Sequence, residues 1–245
     1  MTRRTRLYYP DKLISGEKII LNIDASRYLL TVLRKTIGEA VFLFNNTDFE
    51  FESALVEINK KQAVIQVGAP SNPNIESNLK IHLGQAISRG ERMDYAIQKA
   101  VELGVDEITP LFSEYCQIKL KSDRVDNKIS HWQAIAISAA EQSGRTKVPK
   151  INLPEEFNIF IQKKDELKII CLPKQNKDLL DLKNTAIPKN ILLLIGAEGG
   201  FSDAEIQLAL KQDFISMSLG PRILRTETAP IVALSLLQQK WGDLH

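Results

Sequence analysis

Short runs of alternating apolar and polar residues fill most of the first 68 positions of the chain. Alternation with a period of two is typical of β-strands that bury one face. Four such strands are predicted at residues 18–23, 39–44, 51–58 and 62–68. One interruption, residues 25–35, has apolar residues at helical spacing and predicts an inserted helix. Short strands at this spacing favour a small β-barrel.

A different pattern begins at residue 79, where apolar runs alternate with amphipathic helical stretches. Alternating strands and helices indicate an α/β domain with a mainly parallel sheet. The predicted strands are residues 79–87, 105–112, 167–172, 190–196 and 214–220. The predicted helices are residues 91–104, 127–144, 202–211 and 226–242. Ser202 and Glu205 have the spacing of a capping box, which predicts the start of the third helix.

The stretch between these two regions, residues 69–78, contains two prolines, three asparagines and two serines. Clusters of these residues favour turns and linkers over regular structure. We therefore expect two domains, an N-terminal barrel over residues 1–72 and an α/β domain over residues 73–245.

Composition excludes several classes of protein. With 32 basic and 30 acidic residues the net charge is +2, which neither requires nor excludes a nucleic-acid partner. Cys116 and Cys171 form no CxxC motif and the three histidines lack the spacing of metal ligands, so we expect no metal. No apolar run approaches the ~20 residues of a membrane span, and the basic N-terminus lacks the apolar core of a signal peptide. We expect a cytoplasmic protein that binds no membrane.

Two glycine-bearing turns are the strongest candidates for a ligand site. "LLLIGAEGGF" (192–201) and "LGPRILRTETA" (219–229) each contain the end of a predicted strand. Ligands of parallel α/β sheets bind beyond the carboxyl ends of the strands. Glycines at such places let main-chain groups approach a ligand closely. The two turns are therefore expected to share one pocket.

Three kinds of ligand compete for these turns. A phosphate loop places a lysine beside its glycines, whereas here Glu198 stands among them and would repel a phosphate. The first turn also departs from the GxGxxG of dinucleotide sites and comes late in its domain. An uncharged adenosine with a positive tail fits better, because a carboxylate attracts a sulfonium or ammonium group. S-adenosylmethionine is such a ligand, but the alternative that both turns only lead into helices stays open.

The same two segments resemble a known family. "LLIGAEGGFSDAE" (193–205) and "LGPRILRTETA" (219–229) are similar to the two signature segments of the RsmE-type 16S ribosomal RNA methyltransferases, which belong to the SPOUT superfamily of trefoil-knot methyltransferases. Residues 83–116 and 132–151 resemble the family as well, as do the N-terminal "RRTRLYY" and "VLRK". The resemblance covers nearly the whole chain, and the order and spacing of the two signatures make it specific.

The resemblance implies a fold, a reaction and partners. The C-terminal domain is expected to be a SPOUT α/β trefoil knot with a mainly parallel sheet, and the N-terminal domain a small PUA-like β-barrel that binds RNA. The cofactor is expected to be S-adenosylmethionine. The expected reaction is methylation of N3 of one uridine in the decoding region of 16S rRNA, either in free rRNA or in the small ribosomal subunit. The family also implies a homodimer.

The resemblance assigns roles to the residues of the two turns. The residues expected to bind the cofactor are Leu172, Leu194, Ile195, Gly196, Glu198, Gly199, Gly200, Leu219, Gly220, Ile223 and Leu224. N3 of uracil carries a proton, so the enzyme must remove it or stabilise the charge that builds on O2 and O4. We expect Arg225 to stabilise that charge, and Glu198 or Glu227 to orient Arg225 or accept the proton.

Basic residues outside the turns are candidates for RNA contact, because charge and aromatic surface together suit RNA. The candidates are Arg3, Arg4, Arg6, Arg27, Arg34, Lys35, Arg89, Arg92 and Arg145. A binding or assembly factor for RNA without catalysis is the alternative function. The chain also departs from the family pattern at Ala197, where proline is usual, and at Tyr28, where histidine is common. Alanine leaves φ freer than proline does, so we expect a less preorganised first turn.

Overall fold

The computed structural model describes residues 4–116, 122–173 and 187–244, with residues 122–124 described by their backbone alone. The chain forms two compact units. The first comprises Met1–Glu76 and Ala140–Val148, and the second comprises Ser77–Ala139 and Pro149–His245.

The first unit is built on a five-stranded sheet with the order β1-β3-β4-β5-β2. Its strands are β1 (Arg6–Tyr8), β2 (Lys18–Ile20), β3 (Ala40–Phe44), β4 (Glu50–Asn59) and β5 (Gln62–Ser71). β1 runs parallel to β3, and the other pairs are antiparallel. The alternating residues Val41, Leu43, Leu55 and Ile65 are fully buried, as the period-two pattern predicts.

One short helical segment crosses this unit. Asn22 caps α1 (Ile23–Arg27) by accepting a hydrogen bond from Ala25 N, and this cap ends the predicted strand 18–23 at Ile20. A π-helical turn, Tyr28–Val32, continues α1. The helical segment therefore runs from residue 23 to residue 32 where the prediction gave 25–35, and its second half is wider than an α-helix. The wider turn buries Leu29 completely. π-turns are rare and occur often at functional sites.

The second unit contains a seven-stranded parallel sheet with the order β12-β10-β11-β6-β7-β8, in which β9 also pairs with β7. Its strands are β6 (Lys80–Ala86), β7 (Glu107–Phe112), β8 (Lys150–Ile151), β9 (Glu155–Glu156), β10 (Leu167–Cys171), β11 (Asn190–Ile195) and β12 (Ile215–Met217). Its central strands β6 and β11 are buried along almost their whole length, as expected for a sheet covered on both faces. The α/β fold with a parallel sheet is confirmed.

Helices accompany these strands. They are α2 (Glu91–Glu102), α3 (Ser122–Ser143), α4 (Phe157–Phe160), α5 (Asp203–Lys211) and α6 (Thr228–Trp241). The capping box of α5 is confirmed, since Ser202 and Glu205 exchange side-chain to backbone hydrogen bonds. No described helix is both long and apolar enough to cross a membrane.

Short elements were the ones that periodicity missed. β1, β8, β9 and α4 are absent from the sequence prediction because two to four residues carry no measurable period. β5 continues to Ser71, so the first three residues of the predicted linker 69–78 belong to a strand. α3 begins at Ser122, five residues before the predicted start at residue 127.

Candidate functional site

Three parallel strands of the second unit bring the two glycine turns to one edge of the sheet. β10 lies between β11 and β12, with Ile170 paired to Leu194 and Cys171 paired to Met217. The carboxyl ends of the three strands therefore lie at the same edge. The first turn, residues 196–200, follows β11, and the second, residues 218–227, follows β12. Leu172, another residue predicted to bind the cofactor, directly follows β10 and donates its N–H to Met217 O at 3.0 Å.

Close packing accounts for the glycines of the first turn. Gly200 N–H donates to Ala197 O at 2.9 Å, which closes the turn. A Cβ added at Gly199 would lie 2.9 Å from the Cβ of Tyr115, and one added at Gly196 would lie 2.9 Å from backbone atoms of Gly200. Any side chain at these two positions must displace the turn or its neighbour.

A different constraint acts on the glycine of the second turn. Gly220 has a φ of 93°, a conformation that side chains of L-residues rarely adopt, and an added Cβ would meet nothing within 4 Å. The space beside it is open. The second turn is held to the first by Thr226, whose hydroxyl donates to Gly196 O at 2.9 Å.

Glu198 lies at the tip of the first turn and is fixed by Arg92 of α2 and by Arg89, two residues before that helix. Its carboxylate accepts a hydrogen bond from Arg92 Nη1 at 2.7 Å and one from Arg89 N at 3.3 Å. Burial raises the pKa of Glu198, but hydrogen bonds from backbone amides and the charge of Arg92 outweigh it, so the pKa lies below its ordinary value. Glu198 is therefore a fixed negative charge at neutral pH.

The apolar residues predicted to line the pocket differ in burial. Leu172 and Leu194 pack in the core of the second unit, and Ile195 is buried as well. Leu219 and Leu224 are half-buried, whereas Ile223 is 76% exposed. The structure thus brings the predicted set to one edge, with its first three members also serving as core.

Arg225 and Glu227 stand where the second turn enters α6. The Arg225 side chain is exposed, and its carbonyl accepts hydrogen bonds from the N–H groups of Thr228 and Ala229. Glu227 is the N-cap residue of α6. Its Oε2 is buried and has no hydrogen-bond partner among the described residues. A carboxylate oxygen in this condition has free capacity to accept a hydrogen bond.

Glu227 also lines a cleft of about 650 Å³ in the second unit. The other lining residues are Glu91, Arg92, Asp94, Tyr95, Gln98, Ile135, Ser138 and Ala139. Tyr95 offers an aromatic surface that is 47% exposed. Because Arg92 both lines this cleft and binds Glu198, the cleft lies next to the first glycine turn.

Two of the arginines predicted to bind RNA are buried in ion pairs of the first unit. Arg6 pairs with Glu50 and donates to Arg145 O at 2.7 Å. Arg145 pairs with Glu76 at 2.8 Å. Burial lowers the pKa of Arg6. Burial alone would raise the pKa of Glu76, but its hydrogen bonds and the charge of Arg145 outweigh this effect, so the pKa lies below its ordinary value. Removal of one partner would leave a buried charge without compensation, so these two arginines are committed to pairs within the unit and are poorly placed to contact RNA.

The other predicted RNA contacts are more accessible. The Arg4 side chain is 68% exposed, and its guanidinium lies 4.9 Å from the centroid of the Phe42 ring. Arg27 and Arg34 of the first unit are exposed, whereas Lys35 is half-buried and pairs with Glu39 at 2.9 Å. In the second unit Arg89 and Arg92 are exposed. Arg3 lies outside the described residues.

Sequence reasoning missed three residues that touch the turns. Tyr115 packs against Gly199, and Thr226 joins the two turns. Gln85 of β6 donates to Thr226. Only Gln85 gave a signal, as a polar residue near the end of a predicted strand. In the described part of the chain, no group of three or more His, Cys, Asp or Glu residues could hold a metal ion.

Comparison with known proteins gives concordant results over both units. Residues 75–238 match the model of the RNA methyltransferase domain, and residues 20–68 match that of the RNA methyltransferase PUA domain. A relative from Buchnera aphidicola, named ribosomal RNA small subunit methyltransferase E, is 41% identical over 99% of this chain and 98% of its own length.

Solved structures are equally similar. A protein from Legionella pneumophila, solved in complex with the cofactor SAM, is 42% identical, with a TM-score of 0.94 over 99% of this chain and 100% of its own. A ribosomal RNA small subunit methyltransferase E from Neisseria gonorrhoeae, bound to S-adenosyl methionine, is 35% identical, with a TM-score of 0.92 over 99% of this chain and 100% of its own.

Proposed function

We propose a specific target for this chain, which belongs to the ribosomal RNA small subunit methyltransferase E family. It is an S-adenosylmethionine-dependent methyltransferase that acts on the rRNA of the small ribosomal subunit. The proposed target is N3 of one uridine in the decoding region of that rRNA. The observation that carries the proposal is the convergence of two glycine turns and two carboxylates, Glu198 and Glu227, at one edge of the parallel sheet.

The residues of this edge suit S-adenosylmethionine. The space beside Gly220 is open, so a ligand can approach the backbone of the second turn closely. Leu219 and Leu224 supply half-buried apolar surface. The fixed negative charge of Glu198 complements a sulfonium. When bound, the cofactor supplies an electrophilic methyl group.

Residues of the second turn activate the uracil by removing its N3 proton and stabilising the resulting charge. Glu227 is the better proton acceptor of the two carboxylates, because its Oε2 has no partner among the described residues whereas Glu198 is held by Arg92. Arg225 is exposed and presents a planar group of donors to the charge that develops on O2 and O4 as the N3 proton leaves. Glu227 thus accepts the proton, and Arg225 stabilises the anionic ring.

RNA binding is assigned to the exposed basic residues. Residues 1–72 form the RNA-binding region and residues 73–245 the methyl-transfer region, with the C-terminal part knotted and the active enzyme a homodimer. Arg4, Arg27 and Arg34 are suited to phosphate contact because their side chains are exposed. Arg6 and Arg145 act instead through the ion pairs that hold the first unit.

Two measurements test the proposed function. Purified protein is titrated with S-adenosylmethionine in a calorimeter, and then incubated with cofactor and either free 16S rRNA or small subunits from a strain that lacks this protein. Mass mapping of the product identifies the modified nucleotide. One added methyl group on N3 of a decoding-region uridine supports the proposal. Binding of rRNA without methyl transfer, or a methyl group elsewhere on the base, contradicts it.

A further inference from the structure

Gln85 is a polar side chain in apolar surroundings. It lies near the carboxyl end of β6, paired with Ile195 of β11 on one side and Pro110 of β7 on the other. The residue is completely buried. Burial of an amide at such a position costs free energy unless the amide is hydrogen-bonded. The bonds that Gln85 makes therefore indicate its task.

A relay of hydrogen bonds leads from Gln85 to the first glycine turn. Gln85 Nε2 donates to Thr226 Oγ1 at 3.2 Å, and Thr226 Oγ1 donates to Gly196 O at 2.9 Å. A threonine hydroxyl carries one proton. Because the Gly196 carbonyl accepts that proton, the Thr226 oxygen must accept from a donor, and this requirement orients the amide of Gln85 with its nitrogen towards Thr226.

The relay connects three elements that lie far apart in the sequence. Gly196 begins the first glycine turn, Thr226 stands in the second, and Gln85 belongs to the central strand between β7 and β11. We propose that Gln85 is a positioning residue, which holds the two turns at the separation that the cofactor requires. This inference rests on the proposed function, since it concerns the site assigned there to S-adenosylmethionine.

Stability alone does not account for this glutamine. Gln85 Oε1 is buried and has no hydrogen-bond donor among the described residues. An acceptor left in this state destabilises the folded protein. Leucine, which is similar in size and wholly apolar, would remove that cost. Gln85 Nε2 also donates to Ala86 O at 3.3 Å, but this local bond does not reach the turns. The bond to Thr226 is the contact through which this glutamine acts on them.

Calorimetric titration with S-adenosylmethionine tests the relay. Gln85→Leu and Thr226→Val are each expected to weaken cofactor affinity by about tenfold, the effect of one buried hydrogen bond and the disorder it permits. The double variant is expected to bind no more weakly than the weaker single variant, because both changes interrupt the same relay.

Gln133→Leu is the matched control. Gln133 bonds to Pro149 O and Ile151 N in the same unit, and its removal is expected to leave cofactor affinity unchanged.

A third variant separates positioning from packing. In Gln85→Glu the uncharged carboxyl group can donate its proton to Thr226, whereas the ionised form cannot. Burial raises the pKa of such a carboxyl group into a range where both forms can be sampled. The cofactor affinity of this variant, relative to wild type at the same pH, is therefore expected to fall as the pH rises. Urea denaturation over the same pH range is the control, because a buried ionised carboxylate also destabilises the fold. A purely structural role predicts that the affinity falls only where folded protein is lost.

The outcomes are separable from those of the proposed function. A wild-type protein that fails to bind S-adenosylmethionine contradicts the proposed function. A wild type that binds, together with unchanged affinity in folded Gln85→Leu and Thr226→Val, overturns the relay alone. If Gln85→Leu does not fold, as judged by circular dichroism, then Thr226→Val and the pH series of Gln85→Glu decide the question. Additive losses in the double variant also overturn it.

Discussion

The guanidinium of Arg92 lies 2.7 Å from the carboxylate of Glu198 and joins the start of α2 to the tip of the first glycine turn. The Arg92 side chain is 46% exposed, and ion pairs this accessible to solvent add little to stability. The pair therefore acts mainly on the shape and charge of the turn.

Replacement of Arg92 with alanine is expected to weaken S-adenosylmethionine binding several-fold. The free energy of unfolding is expected to change by less than about 1 kcal/mol, as for other exposed ion pairs. Calorimetry and urea denaturation measure the two quantities. Arg89→Ala is the control, because Arg89 contacts Glu198 through its backbone amide, which alanine retains. A large loss of stability in Arg92→Ala without a loss of affinity would contradict this role.

Gly220→Ala is expected to abolish or strongly weaken cofactor binding, since the new methyl group projects into the open space beside the turn. The positive φ also costs about 1–2 kcal/mol of stability. Gly16→Ala separates the two effects, because Gly16 has a similar φ of 90° and an equally open surrounding but lies in the first unit. Equal stability losses with binding lost only in Gly220→Ala support the assignment, and equal binding in both variants refutes it.

Gly199→Val is expected to abolish cofactor binding while the protein remains folded. The valine Cβ would lie 2.9 Å from the Cβ of Tyr115, so the tip of the first turn must move. Circular dichroism establishes folding, and calorimetry measures binding. A folded variant with the affinity of the wild type would remove Gly199 from the site.

Arg225→Lys retains the charge but loses the planar set of donors. We expect the single-turnover rate to fall about 100-fold, the usual effect of deleting one donor to a developing anion, with much less change in cofactor affinity. Rapid-quench kinetics with saturating rRNA measure this rate. A wild-type rate in Arg225→Ala would exclude Arg225 from the reaction.

The stability of the second unit is expected to depend on the protonation of His82. Its Nε2 lies 2.7 Å from Thr109 Oγ1, and its ring packs edge-on against Phe160. Burial lowers the pKa of His82 most, and Lys163 lowers it further, against the opposing effect of Glu107. Between the lowered pKa and the ordinary value of about 6.5, the unfolded chain binds more protons than the folded one.

The stability that neutral, buried His82 contributes is therefore fully present above pH ~6.5. It is lost as the pH falls towards the lowered pKa of the folded state. Other groups titrate in the same range, so the useful quantity is the difference in unfolding free energy between wild type and His82→Gln. On acidification from pH 7 to pH 5, we expect the wild type to lose more unfolding free energy than His82→Gln does. A difference that stays constant would show that burial of His82 does not control its ionisation.

If the proposed homodimer joins the RNA-binding residues of one chain to the cofactor site of the other, two inactive variants are expected to complement each other. One variant lacks RNA contact (Arg27→Ala with Arg34→Ala), and the other lacks the cofactor site (Gly220→Val). Refolded together, half of the dimers are mixed and each carries one intact site, so about a quarter of wild-type activity is expected. Arg6 is unsuitable for this purpose, because its pair with Glu50 is buried. Confirmed mixed dimers without activity would show that each site belongs to a single chain.

Local patterns in the sequence were sufficient for the fold class and for the position of the two turns. The period of apolar residues depends on neighbours a few positions away, so it predicted the long strands β4, β6 and β11. The spacing of Ser202 and Glu205 is equally local and predicted the capping box of α5. The turn glycines follow from the same local requirements of backbone geometry. The family resemblance then supplied the reaction that such a site serves.

Only the tertiary structure decided which side chains meet. Arg6 and Arg145 read as surface charges in the sequence but are buried against acidic partners. Gln85 and Thr226 are 141 positions apart, and Arg92 and Glu198 are 106 apart, yet both pairs are hydrogen-bonded. These contacts depend on how the parallel strands are ordered in the sheet, and strand order is set by the packing of the whole unit rather than by the period of any one segment.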